Sequence, residues 1–212
     1  MEKSKKNIII LCLSIIIISG ITFLGGLTRA IPDYTLRVIS LVALNLSNGA
    51  VAFLAMKLCK MKIEVKFQGW QIPIGMTLAL ALSLVIAVIP ASFGFSLVGG
   101  RTEFSLYALI YDLLFYMLII GPVEEFIFRV YLQDAFVSFF PKRQWIGVVI
   151  AAFLFGIWHI INGSLIQALF TFGIGLAFGF TKHKIKDTGY IGVAFAHGLY
   201  DFLNTLVRMF IV

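Results

Sequence analysis

The sequence predicts an all-α membrane protein, a polytopic bundle of about seven transmembrane helices with a broken or tilted helix around Gly121-Pro122. Three observations carry that prediction. Of the 212 residues 60% are hydrophobic and only 13% charged, too few charges to cover a soluble domain of this size. Apolar runs of about 20 residues, the length that spans a hydrocarbon core, recur along the whole chain. Lysines and arginines gather at alternate ends of those runs.

The first span is Asn7 to Gly26. It follows MEKSKK and so resembles a signal peptide, but its apolar run is too long for one and no A-x-A-like cleavage site follows; it reads as a retained helix. The second span is Val38 to Met56, and the third is Ile72 to Val98, where Pro90 predicts a kink. The fourth stays apolar from Phe104 to Phe140. As one straight helix it would run about 55 Å, against a hydrocarbon core of about 30 Å. Gly121 and Pro122 lie in its middle, and proline removes a backbone donor, so the helix is expected to break or tilt there. The fifth, sixth and seventh spans are Trp145 to Ile161, Leu165 to Phe180 and Tyr190 to Val212. With no long repeat and no soluble segment, residues 1–212 read as a single integral-membrane domain.

Charge sets the orientation. Lys3, Lys5 and Lys6 precede span one, Lys57, Lys60, Lys62 and Lys66 follow span two, Lys142 and Arg143 follow span four, and Lys182, Lys184 and Lys186 follow span six. The opposite side receives only Arg29, Arg37, Arg101 and Arg208. By the positive-inside rule the N-terminus is cytoplasmic and the C-terminus outside. The net charge of +7 is thereby absorbed by topology, and the expected partner is the lipid bilayer rather than nucleic acid. Cys12 and Cys59 form no CxxC pair and read as inert packing residues on the cytoplasmic side. The richness in Ile and Lys suggests a bacterial plasma membrane.

Against this apolar background the stretch EEFIFR, Glu124 to Arg129, stands out. One charge at the bilayer centre costs about 2.5–3.5 kcal/mol on insertion scales. Glu125 and Arg129 are four residues apart and can pair on one helix face. That leaves Glu124, about 100° around the helix, in need of another partner or of water. Span five carries His159, and span seven carries His197, Asp201 and Asn204, spaced to share one face. Asp112 reads as a packing acid or a wall of a water path, Asp134 lies nearer the cytoplasmic end, and His183 reads as a solvated loop residue. Counted at 1.5 Å per residue from the cytoplasmic ends of their spans, Glu124, His159 and His197 lie about 24, 21 and 10–14 Å deep, compatible with one site.

Two chemistries suit these residues. A glutamate beside a neutral histidine with access to water is a general-base pair, and a second histidine with an acid or amide can stabilise an oxyanion. That combination hydrolyses a peptide bond without a Ser or Cys nucleophile. Alternatively, Glu124, His159 and His197 make a catalytic Zn2+ set with an open position, the neighbouring glutamate acting as base. Spacing alone does not separate the two.

The motifs also resemble a known family. EEFIFR fits EExxxR, FGIWH (Phe155 to His159) fits FxxxH and HGLYD (His197 to Asp201) fits HxxxD/N, in that order, each within a span. This is similar to the CPBP family, the CAAX protease and bacteriocin self-immunity (Abi) proteins. The resemblance covers roughly residues 115–204. It implies an intramembrane endopeptidase in which Glu124 and His159 activate water and His197 and Asp201 stabilise the oxyanion, with Glu125 and Arg129 in support. Asp201 stands where the CAAX endopeptidase has Asn; an ionised Asp opposes an oxyanion, so it is expected to be protonated or to act through His197. The substrate would be a peptide or the tail of a membrane protein. There is no HExxH, no GxGD and no GxSG to suggest another kind of intramembrane protease. Asn162-Gly163-Ser164 does not supply the last of these. Gly175 and Gly179 form a GxxxG read as close helix packing. The competing functions are a non-catalytic bacteriocin immunity protein, which would use the same polar interior for docking, and a small transporter or proton path.

Overall fold

The computed structural model describes residues 4–94, 96–97, 102–161, 163–185 and 188–211. Lys3, Arg101, Asn162, Lys186 and the expected span ends Val98 and Val212 lie outside the described residues. Those described form no strand and seven helical rods: α1 (Lys5–Leu27), α2 (Tyr34–Leu58), α3 (Gln71–Ser92), α4 (Leu106–Phe139), α5 (Gln144–Trp158), α6 (Leu165–Lys184) and α7 (Gly189–Phe210). Rods α1, α2, α3, α4 and α6 are long and apolar enough to cross a membrane; α5 is apolar but shorter. The chain is an integral membrane protein with the all-helical, polytopic architecture read from its sequence.

Local chemistry marks the helix ends. The side chains of Ser4, Asp33, Ser105 and Ser164 accept from the amides of Asn7, Leu36, Ala108 and Gln167, satisfying donors that a helix start leaves open. Helix α2 ends in a Schellman turn: the Lys60 amide bonds the Lys57 carbonyl and the Met61 amide the Met56 carbonyl. Lys60 takes the left-handed position there, φ 53°, where glycine is usual.

The break expected in α4 takes a particular form. The rod continues through Pro122, but its α-helical bonding is interrupted by π turns at Tyr116–Ile120 and Phe126–Gln133, leaving a five-residue α stretch, Gly121–Glu125, between them. Helix α3 does the same before its own proline, with a π turn at Leu84–Val88 ahead of Pro90. In both rods the proline follows two residues after the π turn, and the amide after the turn bonds five residues back: Ile89 to the Leu84 carbonyl, Gly121 to the Tyr116 carbonyl. The physical reason is shared. A proline ring collides with the carbonyl four residues earlier, here Ile86 and Leu118, each at the centre of its π turn. The wider turn moves that carbonyl aside.

The chain forms two compact units, Met1–Glu64 with Phe126–His183 and Val65–Glu125 with Lys184–Val212. In the first, residues Ile127 to Gln133 are buried without interruption. Phe128 packs edge-on against Phe155 and Trp158, and the Arg129 guanidinium stacks over the Phe155 ring at 5.1 Å. The Ser14 and Tyr131 hydroxyls share a 2.6 Å hydrogen bond, and Gln133 Nε2 donates to the Gly179 carbonyl. The GxxxG of α6 is a close approach: a Cβ on Gly179 would lie 2.8 Å from Val148 Cγ1, and one on Gly175 3.0 Å from Phe155 Cδ1. Lys182, still helical, donates to Asp134 Oδ1 at 2.6 Å and to the Arg129 carbonyl at 2.9 Å. His183 sits half-buried in the last turn of α6, a correction to its reading as a solvated loop residue. Both cysteines are free; Cys59 is buried, which pushes its thiol up, but Cys12 is exposed and so does not pack as expected.

In the second unit α7 packs along α3 and the first half of α4. Gly75 faces α7 so closely that a Cβ there would be 2.5 Å from the Gly192 carbonyl. Gly121 and Gly198 interlock: a Cβ on Gly121 would meet the Ala194 carbonyl at 2.5 Å, and one on Gly198 the Tyr116 carbonyl at 2.6 Å. These contacts are with backbone, so two helix axes meet at glycine distance beside the glutamates.

Candidate functional site

Interlocked glycines bring α4 and α7 close enough for short side chains to meet. Gly121 precedes Glu125 by one turn, and Gly198 directly follows His197. As a result His197 Nδ1–H donates to Glu125 Oε1 at 2.9 Å. Its other nitrogen, Nε2, lies 3.4 Å from Asp201 Oδ2 and 4.0 Å from Glu124 Oε2. Three carboxyl groups thus surround one imidazole that is itself only 4% exposed. Glu125 is fully buried, and Glu124 and Asp201 remain partly open, at 23% and 24%.

Proton accounting limits what this cluster can be. Nδ1 carries a proton toward Glu125. The approach of Nε2 to Asp201 also needs a proton between two acceptors, on the ring or on the acid. Asp201 thus lies against the Nε2 side of His197, on the face that its i, i+4 spacing predicts. Glu124 faces the same ring.

Tyrosines surround the cluster, and sequence reasoning passed over them. Tyr116 and Tyr200 both lie within electrostatic reach of Asp201, Tyr116 also within that of Asp112. Asn204 is buried against Tyr200. Tyr190 donates its hydroxyl to the Pro122 carbonyl at 2.9 Å. For Tyr200, within one turn of His197, and Tyr190, at the head of α7, position along the helix is the signal the sequence offers; Tyr116, on α4, has none.

His159 belongs to the other unit. It caps the C-terminus of α5, and its Nδ1–H donates to the Phe155 carbonyl at 2.8 Å. That bond occupies Nδ1 and leaves Nε2 as the ring nitrogen turned to other partners. The Phe155 ring stands edge-on to the imidazole at 4.8 Å and fixes its plane.

The alternative reading of these residues is a Zn2+ set. Among the described residues no three His, Cys, Asp or Glu side chains form a group able to hold a metal ion. Both nitrogens of His197 are committed to carboxyl groups.

Comparison with known proteins supports the resemblance carried by the three motifs. Residues 106–203 match the family model described as type II CAAX prenyl endopeptidase, Rce1-like, and this segment contains EEFIFR, FGIWH and HGLYD whole. No curated protein and no solved structure matches the chain. Over residues 106–203 the chain is thus similar to the Rce1-like type II CAAX prenyl endopeptidases, the resemblance its three motifs carry.

Proposed function

We propose that the chain is an intramembrane endopeptidase that hydrolyses a peptide bond in a membrane-borne peptide or protein tail, with Glu124 as the general base. The observation that carries this reading is the single imidazole, His197, held between Glu125, Asp201 and Glu124. A buried ring oriented this firmly is expensive unless it serves a reaction, since intramembrane ionisable groups mark functional sites by default.

The steps need no nucleophilic side chain. Glu124 takes a proton from water as the water oxygen attacks the scissile carbonyl carbon. The oxyanion that develops is met by a hydrogen-bond donor on the Nε2 side of His197, where Asp201 keeps a proton available. The C–N bond then breaks, and the proton held by Glu124 passes to the leaving amine. Glu125 fixes the ring through Nδ1. His159 is assigned to water on the strength of its motif and of its Nε2, which the bond to Phe155 leaves to other partners. The cell of origin is bacterial in this proposal, with the N-terminus cytoplasmic and the C-terminus outside. Bacteria generally lack prenylated CAAX proteins, so a bacteriocin, a peptide pheromone or a membrane-protein fragment is the substrate class.

The test uses purified protein in detergent with a quenched-fluorescence library of hydrophobic peptides. Glu124→Gln should lower cleavage by about 10²–10⁴-fold while the protein inserts and melts as before. Equal cleavage by variant and wild type would overturn the assignment. Loss of wild-type cleavage on adding phenanthroline would overturn the metal-free step. Protection of cells against a bacteriocin that survives Glu124→Gln with His159→Ala would instead indicate an immunity protein that binds without cutting.

A further inference from the structure

We propose that Tyr190 is a positioning residue that holds Glu124 and Glu125 toward His197. The inference rests on the reading of Glu124 given above and extends the site to a residue outside all three motifs.

The need for such a residue follows from the backbone of α4. Glu124 and Glu125 end a five-residue α stretch with a π turn on either side. Pro122, near its start, has no amide hydrogen to contribute to the ladder. A short α stretch between two wider turns is held in register by fewer regular α bonds than the interior of a long α-helix. The direction of the two glutamates must therefore be set from outside the stretch. Packing of Gly121 against Ala194 and Gly198 fixes where the turn sits. It does not fix rotation about the helix axis as a directional bond would.

Tyr190 supplies that bond. Its hydroxyl donates to the carbonyl of Pro122 at 2.9 Å, two residues before Glu124 and three before Glu125. The phenol also interacts electrostatically with the Glu125 carboxyl. The tyrosine is itself held. Gly189, directly before it, adopts φ +54°, and a Cβ there would lie 2.7 Å from Gln71 Nε2. Gln71, 2% exposed, donates to the Lys66 carbonyl at 2.9 Å and accepts from the Gln68 amide at 3.0 Å. Thr188 on the other side of Gly189 is fully buried. The head of α7 is thus seated on a buried amide, and from that seat one phenol reaches the turn that carries the glutamates.

Full-length protein with Tyr190→Phe keeps the ring and loses only the hydroxyl. We expect kcat to fall about 10- to 100-fold, the effect of sub-ångström misplacement of a reacting group, with KM unchanged. A hydroxyl that merely stabilised the fold would lower the melting temperature and leave kcat intact. Gly189→Ala, measured beside it, should reproduce the kcat loss with the hydroxyl still present, because the seat on Gln71 is disturbed. Wild-type kcat in Tyr190→Phe, with Glu124→Gln inactive in the same assay, would overturn the inference and spare the active-site reading. Full activity in Glu124→Gln would overturn both.

Discussion

Replacing Gly198 by alanine tests whether the glycine crossing of α4 and α7 builds the site. The new methyl would stand 2.6 Å from the Tyr116 carbonyl oxygen, 3.0 Å from Met117 Cα and 3.1 Å from Tyr116 C. All three are backbone atoms, so no side chain can swing away. Ordinary contact begins at 3.4 Å, so the helices must part by about 3.4 − 2.6 = 0.8 Å at this point. Overpacking of this kind costs about 1–3 kcal/mol. Added to the 2.9 Å bond between His197 and Glu125, the same displacement gives about 3.7 Å, beyond hydrogen-bonding range. A misplacement near 1 Å can cost about 10²-fold in rate. Gly173→Ala is the matched control: nothing lies within 4 Å of its Cβ, and removing a glycine from a helix interior should stabilise by about 0.5–1 kcal/mol. Thermal unfolding in detergent and peptide cleavage would be read for both. Wild-type melting and wild-type cleavage by Gly198→Ala would refute the argument that this crossing sets the site's geometry.

Three other outcomes follow from the structure. Lys182→Met removes the partner of Asp134 and a donor to the Arg129 carbonyl; because Asp134 is 46% exposed the ion pair is screened, and the expected loss is about 1 kcal/mol, read from the melting temperature and diminished at high salt. Lys60→Gly relieves a side chain held at φ 53° and should stabilise by about 1 kcal/mol, measured the same way; destabilisation would mean that the Lys60 side chain contributes more than the strain. Asp201→Asn keeps a group beside His197 Nε2 without the option of negative charge, and cleavage should persist across neutral pH. Its abolition would show that Asp201 must ionise.

Much of the architecture was legible because membrane spans announce themselves by length and composition. All seven rods fall on the apolar runs, five of them long and apolar enough to cross a membrane, and HGLYD forms one face, since His197 and Asp201 do meet. What remained hidden depends on contacts between elements distant in sequence. Spacing points from Glu125 to Arg129, but it holds no signal for the hydrogen bond to His197, which joins residues 72 apart. Gly121 was legible as a helix breaker, but its use as a contact surface needs Gly198 opposite it. Pro90 and Pro122 predicted distortion without revealing its kind. Hydropathy is blind to whether a turn holds 3.6 residues or more, and so the π turns left no trace. Tyrosines pass equally for ordinary span residues, which is why Tyr116, Tyr190 and Tyr200 drew no notice.

The π turn at Tyr116–Ile120 makes this segment behave like a reading frame. It accommodates one residue more than the α turn it replaces, so every side chain beyond it is out of phase with the helix before it. Deleting any single residue from that turn would leave hydropathy, charge and span length nearly untouched. The ladder would close into regular α bonding, and Glu124 and Glu125 would swing about 100° around the axis, away from His197. The glutamates are thus addressed by a count of residues as much as by their identity, and substitution within the turn should be forgiven far more readily than a change in its length.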